Sequence, residues 1–421
     1  MNAVARRGNE ERPKRRARPS LRNTFSSLSV PAYRQWFMSQ VLSASGTMTQ
    51  VVALSWLVLR LTGSGVDLGL LSACTFLPML LTGPWSGSMV DRVSRRRLLI
   101  TTQSLFIALS VLLAIVTATG VVRLWMLLVI AFASGVVGAP DAAARQVYAI
   151  DLVGLEYLTS AVSLNEVVLN ASRVLGPALG GLLLATAGVT ACCVVNAVSF
   201  VPPLLVLIAH RHIATPARPP ADHRSDHFSA GLRYAWSNRT IRLVLLLAAA
   251  SGMLFNMNVP LPLMATRVFH LGGGGFGLMM SVFGVGGIVG GFLAAAGHSR
   301  PTRRSVLALG GATGLVVVAT AAAHNVGEFY AGLIVTGCVS IWFIARANAL
   351  VQFETAPAIR GRVMAVWSMA LTGCMPFTSP LVGWVGGTVG AREGFGLAGV
   401  ALAAIAGVGS IRSRRRAGRS T

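Results

Sequence analysis

Residues 87–119 form a segment with two contrasting parts, GSMVDRVSRRRLLITTQSLFIALSVLLAIVTAT. Its first part carries four arginines within six residues, and the 22 residues from Leu98 onwards carry no charge. An α-helix needs about 20 predominantly apolar residues to cross a bilayer. The stretch therefore predicts a basic loop that leads into a membrane-spanning helix.

The same alternation of polar loop and apolar run recurs along the chain. The composition agrees, because 54% of the residues are hydrophobic and 12% are charged, whereas soluble domains carry about 25% charged residues. The runs are too long and too continuously apolar for the alternating strands of a β-barrel, the other way to span a bilayer. The sequence therefore predicts an all-α integral membrane protein with twelve spans, at about residues 36–60, 67–90, 98–119, 123–146, 159–187, 189–210, 241–267, 273–297, 305–323, 327–351, 361–387 and 392–411.

The basic residues predict the orientation of these spans. Of the 36 lysines and arginines, 29 fall in the two tails and the loops on their side, and four fall on the opposite side. An excess of Lys and Arg marks cytoplasmic loops, so we expect both termini in the cytoplasm and the protein in a bacterial inner membrane.

A net charge of +23 could indicate nucleic-acid binding. The short basic clusters between apolar runs argue against it.

The predicted organisation is two hydrophobic halves joined by a basic loop. Residues 36–210 form the N-terminal six-helix bundle, and residues 241–411 form the C-terminal one. Basic cytoplasmic segments precede, separate and follow them at residues 1–35, 211–240 and 412–421.

The central loop holds apolar residues at a helical spacing, since Phe228, Leu232 and Trp236 are four residues apart. This spacing predicts a short amphipathic helix on the membrane surface or against the cytoplasmic helix ends. Histidines in and beside the loop could bind a metal, but a solvated polar loop explains them better. We predict no metal site and no cofactor.

The loop after the second span places a glycine and an aspartate four residues apart on one helix face. The glycine allows close helix approach, and the aspartate can pair with basic residues of the loop or meet a helix N-terminus. The loop resembles the signature GxxxD(R/K)xGRR of the major facilitator superfamily, with Ser94 in place of a glycine. The resemblance implies a gating role for Gly87, Asp91, Arg92, Arg95 and Arg96.

The fifth span contains a second motif, residues 172–181, SRVLGPALGG. It resembles the GxxxGPxxGG antiporter motif of exporters in that superfamily, with Ser172 in place of the first glycine. A proline among glycines bends a helix and lets neighbours pack closely. The resemblance implies export in exchange for protons, with Gly176, Pro177, Gly180 and Gly181 as its conformational elements.

The two halves repeat features in the same order. The span 5 motif has a weaker counterpart in span 11 at residues 379–384, SPLVGW, and Arg145-Gln146 near the end of span 4 has one in Val351-Gln352 near the end of span 10. Parallel six-span repeats place a substrate site between the halves in one class of transporters.

Over about residues 30–410 the chain resembles one branch of the superfamily more closely than the others. The stretches that carry this resemblance include residues 53–59, ALSWLVL, residues 231–234, GLRY, and residues 360–364, RGRVM. They are similar to the drug- and siderophore-exporting branch, which includes macrolide efflux proteins and the enterobactin exporter. That branch often has an aspartate in span 1, where this chain has Thr47, so no proton site is expected there.

Ionisable side chains inside spans are costly and usually functional. Asp141 lies in span 4, and Glu166, Asn170 and Arg173 follow one face of span 5. We expect Glu166, with Asp141, to take up and release the driving proton, and Arg173 to act on Glu166 as the nearby positive charge. The alternative is a static polar network that pins spans 4 and 5 together.

Polar and aromatic residues of the other spans are candidates for contact with a substrate. The resemblance implies a central cavity lined by spans 1, 4, 7 and 10. The candidates are Ser43, Gln50, Asn170, Asn256, Trp342 and Phe343. Ordinary helix packing is the alternative for each of them.

The sequence therefore predicts a monomeric secondary active transporter that exports an amphipathic small molecule by proton antiport. It has no Walker-type phosphate loop and no enzyme motif. Two alternatives stay open: a proton-coupled importer, and a non-transporting membrane scaffold or receptor with a transporter fold.

Overall fold

The computed structural model describes residues 25–211, 226–296, 300–356 and 359–417. Helices account for almost all of them, and we number the spans 1 to 12 in chain order. Spans 1 to 6 are Pro31–Thr62, Gly65–Arg92, Arg95–Ala118, Leu124–Val153, Leu158–Thr186 and Gly188–Ala209. Spans 7 to 12 are Arg239–Phe255 continued by Pro260–Leu263 and Met264–Val268, Gly273–Ala296, Arg303–Ala321, Val326–Glu354, Arg360–Leu371 continued by Met375–Thr388, and Ala391–Ala417.

Each predicted apolar run corresponds to one of these spans. Ten helices among the described residues are long and apolar enough to cross a membrane without interruption. Spans 7 and 11 are each broken by a few residues, which the sequence prediction did not include. The all-α fold with twelve spans is confirmed.

The surface of the helices fits a lipid environment. Large apolar side chains are exposed on many spans, among them Leu182 at 60%, Phe292 at 72% and Phe377 at 68%. A soluble monomer rarely exposes contiguous apolar surface on this scale. In a bilayer these side chains meet lipid tails.

The connections between helices divide into two sides. We call the side with the central loop and the two chain ends of the described part the tail side, and the other the far side. Far-side turns are short, and the turn between spans 1 and 2 uses Gly63 at φ +65°, a conformation that glycine adopts without steric cost. Ser64 then caps span 2 by accepting a hydrogen bond from the Asp67 backbone N–H at 3.3 Å.

Helix packing is the same in the two halves. In the first half, span 1 packs on spans 5 and 6, span 4 packs on spans 2 and 3, and span 3 packs on span 6. In the second half, the corresponding pairs are span 7 with spans 11 and 12, span 10 with spans 8 and 9, and span 9 with span 12. The order of the repeated sequence features is therefore matched by a repeated three-dimensional arrangement.

Two helix pairs join the halves, namely spans 2 and 11 and spans 5 and 8. The two pairs are equivalent under the repeat, because span 8 is the counterpart of span 2 and span 11 is the counterpart of span 5. We call this junction the seam.

The predicted helix in the central loop is present as Asp226–Ser237. Its last part is bent by 104° from the start of span 7, so it runs roughly across the bundle. It packs against the beginning of span 11, where a Cβ on Gly231 would lie 2.8 Å from Cβ of Arg362. The position against the helix ends agrees with the prediction.

Candidate functional site

Glycines bring spans 2 and 11 into backbone contact in the far-side part of the seam. A Cβ on Gly65 would lie 2.3 Å from the carbonyl oxygen of Gly383, and one on Gly69 would lie 2.5 Å from Cα of Pro380. These distances leave no room for a side chain on either glycine of span 2. The Pro-Gly element of span 11 is therefore a seam element.

Spans 5 and 8 meet in the equivalent way. A Cβ on Gly277 of span 8 would lie 2.3 Å from Cα of Gly181 and 2.7 Å from the carbonyl oxygen of Pro177. A Cβ on Gly273, one turn earlier, would meet Leu184 at 2.9 Å. Spans 2 and 8 thus begin with glycine pairs at the same spacing, 65 with 69 and 273 with 277, and each pair faces the Pro-Gly element of the other half.

The span 5 motif contacts two neighbours at once. Gly176 and Gly180 face span 1, where a Cβ on Gly176 would lie 2.3 Å from Cβ of Met48 and the Thr49 hydroxyl donates to the Gly176 carbonyl at 2.9 Å. Gly181, on the opposite face, contacts span 8 across the seam. The motif therefore packs span 5 tightly against its own half and against the other half.

Asn256, at the break in span 7, forms a polar bridge across the seam. It is 4% exposed, and its side-chain amide donates to the Ser72 hydroxyl of span 2 at 2.6 Å and to the Ser379 hydroxyl of span 11. Ser72 belongs to the first half and the other two residues to the second. Asn256, which the sequence suggested as a substrate contact, therefore forms hydrogen bonds that link the two halves in this conformation.

The break itself interrupts the helical hydrogen bonding. Val259 N–H donates to the Asn256 carbonyl, three residues earlier, at 3.3 Å, and the i→i−4 pattern resumes with Leu261 N–H and the Met257 carbonyl at 3.1 Å. Pro260 and Pro262 follow directly and have no N–H to donate. In transporters, irregular backbone at membrane depth is typical of segments that line a path.

Asp141 lies in a buried network on the tail side of the first half. One carboxylate oxygen accepts from the Thr102 hydroxyl at 2.7 Å and the Gln103 amide at 2.9 Å. The other contacts Nε of Arg145 at 2.5 Å, and Arg145 donates to the Gln40 side chain at 2.7 Å. The network joins spans 1, 3 and 4, whereas the sequence suggested spans 4 and 5.

Glu166 and Arg173 are exposed on span 5, with Asn170 between them at intermediate burial. The Asn170 side-chain amide donates to the Glu166 backbone carbonyl at 2.8 Å. Among the described residues the Glu166 carboxylate makes no ion pair within 4 Å, although its charge still interacts with that of Arg173. Arg173 lies beside the seam, where a Cβ on Gly284 of span 8 would be 2.7 Å from its carbonyl oxygen.

Ser43 and Gln50, the two candidates on span 1, both make hydrogen bonds inside the first half. Ser43 is fully buried and donates to the Gln40 carbonyl at 3.4 Å. Gln50 accepts from the Asn196 amide of span 6 at 2.8 Å, and Asn196 also donates to Ser110 of span 3 at 3.0 Å. Ser43 and Gln50 therefore lie at a helix-packing interface in this conformation.

The aromatic pair of span 10 is divided between two environments. Phe343 is fully buried within the second half, where a Cβ on Gly310 of span 9 would lie 3.1 Å from its ring. Trp342 is half-buried. Of the two, Trp342 is the one with surface free to meet a substrate.

The arginines of the signature loop bind helix ends of the first half. Arg95 is buried and pairs with Asp151 at the end of span 4 at 2.8 Å, and Arg96 donates from Nε to the Leu207 carbonyl near the end of span 6 at 2.6 Å. Arg92 is exposed. Gly87 and Asp91 lie on the last turns of span 2, but their side-chain environment is outside what the structure describes.

Sequence reasoning missed several of these partners. Polar residues within apolar runs were the available signal, because a buried polar group in a span needs a hydrogen-bond partner. The missed residues are Gln40, Ser72, Thr102, Gln103, Asp151, Asn196 and Ser379.

Twelve spans in two equivalent six-helix halves, joined along spans 2, 5, 8 and 11, define the class of protein: it has the major facilitator fold. A bacterial homologue of the human lysosomal transporter Spinster, solved in an inward-facing and occupied conformation, has the same fold, with a TM-score of 0.71, 13% identity, and coverage of 94% of this chain and 98% of that one. At that identity the likeness concerns the fold alone.

Within this class the chain belongs to the family described as transmembrane secretion effector, which matches residues 22–420. It is similar to the staphyloferrin A transporter of Staphylococcus aureus, with 27% identity over 263 residues, 61% of this chain and 65% of that protein. It is also similar to the multidrug efflux pump Tap of Mycobacterium tuberculosis, with 29% identity over 229 residues, 50% of this chain and 52% of that pump. The matched part is thus less than two thirds of each relative.

Proposed function

We propose that the protein is a secondary active transporter that exports an amphipathic small molecule by alternating access in exchange for protons. The seam is the observation that carries the proposal. Two equivalent halves meet there through glycine faces and through the polar bridge of Asn256, and these close contacts lie in the far-side part. Rocking of one half against the other would separate such surfaces without breaking either bundle.

The charge distribution supports an orientation. The tail side carries 29 of the 36 basic residues, and an excess of basic residues is typical of the cytoplasmic side. With the tail side in the cytoplasm of a bacterium, the structure corresponds to a state that is closed to the outside. A substrate would enter from the cytoplasm and leave when the far side opens.

The relatives and the span 5 motif favour the outward direction. The two relatives are named for the transport of a siderophore and for drug efflux. The motif residues pack span 5 against both span 1 and span 8. A movement of span 5 at one of these contacts would therefore also change the other contact. An importer with the same fold is the second candidate, and a scaffold without flux is the third.

Glu166 is the better supported of the two proton-carrying candidates. Its side chain is exposed and makes no ion pair within 4 Å among the described residues. Asp141 is held by three side chains, Thr102, Gln103 and Arg145. For substrate contact, the candidates at intermediate burial are Asn170, Trp342 and Gln50, of which Gln50 already accepts a hydrogen bond from Asn196.

Everted membrane vesicles from cells that express the full chain test the proposal. ATP-driven acidification of the lumen should load the vesicles with a fluorescent amphipathic dye or a labelled macrolide, and collapse of the pH gradient with nigericin should release it. Loading of right-side-out vesicles from an acidic medium would instead support an importer. Saturable binding without flux in either orientation would support the scaffold.

A further inference from the structure

Arg267, in the last turn of span 7, joins three helix ends on the far side. Its Nη2 donates to the carbonyl of Gly63, directly after span 1, at 2.6 Å. Its Nη1 donates to the carbonyls of Gly387 and Gly386, in the last turn of span 11, at 3.0 and 3.4 Å. Gly63 belongs to the first half, whereas Arg267 and span 11 belong to the second.

The acceptors are carbonyls that helix geometry leaves without partners. The last carbonyls of a helix have no intrahelical donor, and the partial negative charge of the C-terminus attracts cations. At the end of span 11, the Gly390 N–H donates to Val385 at 3.1 Å, one residue before Gly386, its regular α-helical acceptor. Spans 1 and 11 both end on the far side, so the Arg267 guanidinium satisfies the C-termini of one helix from each half.

The backbone around Arg267 departs from regular α-helical winding. Met264–Val268 is wound as a π-helix, in which each turn holds an extra residue, and the Leu271 N–H reaches back to the Ala265 carbonyl at 2.7 Å. π-turns often occur at functional sites. Here the turn contains Arg267 itself.

We propose that Arg267 is the latch that holds the far side closed, a positioning residue for the transport cycle. Opening of the far side must break the bond to Gly63, since that residue moves with the first half. The bonds to Gly386 and Gly387 can persist, since they lie within the second half. The proposal rests on the alternating access argued above and adds the residue that sets the balance between its two states.

The chain supplies two matched controls. Arg392, at the start of span 12, donates to the Ala321 carbonyl at the end of span 9 at 3.1 Å, which is the same type of bond within one half. Arg60, in the last turn of span 1, corresponds to Arg267 in the repeat and makes no hydrogen bond among the described residues. Loss of either side chain should leave the seam unchanged.

Distance measurements across the seam test the latch. Spin labels at Leu61→Cys and Val389→Cys, both exposed, in a variant without the native cysteines, report the far-side separation in lipid nanodiscs by double electron–electron resonance. Arg267→Gln should raise the ratio of long to short distances about tenfold, the change expected for loss of a charge-assisted hydrogen bond. Arg392→Gln and Arg60→Gln should match the parent.

The outcomes separate the latch from the proposed function. An unchanged ratio in Arg267→Gln, or an equal increase in Arg392→Gln, would overturn the latch while leaving alternating access intact. A single short distance in the parent, in Arg267→Gln and across the full pH range would count against alternating access itself.

A second variant covers the case in which Arg267→Gln does not fold, as judged by size-exclusion chromatography. Arg267→Lys keeps the charge without the forked geometry and should give an intermediate ratio. A ratio equal to that of the parent would overturn the latch.

Discussion

Asp141 and Glu166, the two acids predicted to act inside the spans, have opposite surroundings. Asp141 is 4% exposed and held by partners on spans 3 and 4, whereas Glu166 is exposed on span 5. A buried carboxylate that is fully hydrogen-bonded stabilises one arrangement of helices. An accessible carboxylate can change its protonation state without dismantling a network.

We predict that Glu166→Gln uncouples transport from the pH gradient. The amide has nearly the same shape and cannot bind or release a proton, so dye loading of acidified everted vesicles should fall to the background level. Glu156→Gln, at an exposed site just before span 5, makes the same change in charge and should load normally. Undiminished pH-driven loading by Glu166→Gln would exclude the proton role.

We predict that Asp141→Asn lowers the free energy of unfolding by about 2 kcal/mol, because it leaves the half-buried Arg145 without its ion-pair partner. Thermal unfolding in detergent, followed by tryptophan fluorescence, measures the change. Asp67→Asn, at a half-buried site in the first turn of span 2, is the control and should shift the transition far less. Equal shifts in the two variants would show that the network does not stabilise the fold.

At the scale of helices, the seam depends on glycines that leave no space for a side chain. We predict that Gly277→Val prevents full closure of the far side, because the added atoms would overlap Gly181 and Pro177. Export should fall, and a cysteine placed on the far-side part of span 11 should react faster with a membrane-impermeant maleimide. Gly69→Val should act similarly by the equivalence of the halves.

Gly138→Val is the control for these seam variants. Gly138 lies within span 4 and has open space around its Cβ position, so the substitution should leave export and labelling near those of the parent. If Gly277→Val labels and transports like Gly138→Val, the close contacts of the seam do not control closure.

The breaks in spans 7 and 11 could not be located from the sequence. Hydropathy measures only how apolar a run is, and both runs are apolar throughout. Prolines were the available signal, but Pro140 and Pro177 lie inside continuous helices. A proline removes one hydrogen bond, and the surrounding packing decides whether the helix bends or breaks.

At the scale of the molecule, we predict that both termini are cytoplasmic. A C-terminal green fluorescent protein fusion should fluoresce, and a C-terminal alkaline phosphatase fusion should be inactive, because each reporter works on one side of the inner membrane. Fusions made after Val389, on the far side, should give the reverse result. Active phosphatase fused after Thr421 would invert the orientation and, with it, the proposed direction of transport.

The spans and the division into halves were predictable because a bilayer imposes length and apolarity on each helix separately. The candidate site was less predictable, because it depends on which helix faces meet. Asn256 was identified as a substrate contact, yet its partners Ser72 and Ser379 lie 184 and 123 residues away in the chain. A polar stripe such as that of Ser43 and Gln50 looks the same in sequence whether it faces a cavity or a neighbouring helix.

The glycine seam has a consequence for how such proteins diversify. Its contacts are made largely by backbone atoms, including the Cα atoms that every residue possesses. These contacts therefore depend little on the chemistry of the transported molecule. Substitutions elsewhere on the same helices can alter recognition without altering the surface on which the halves close. The mechanical part of the molecule and the selective part can therefore evolve separately, so that one scaffold can acquire new cargoes by changing a few cavity side chains.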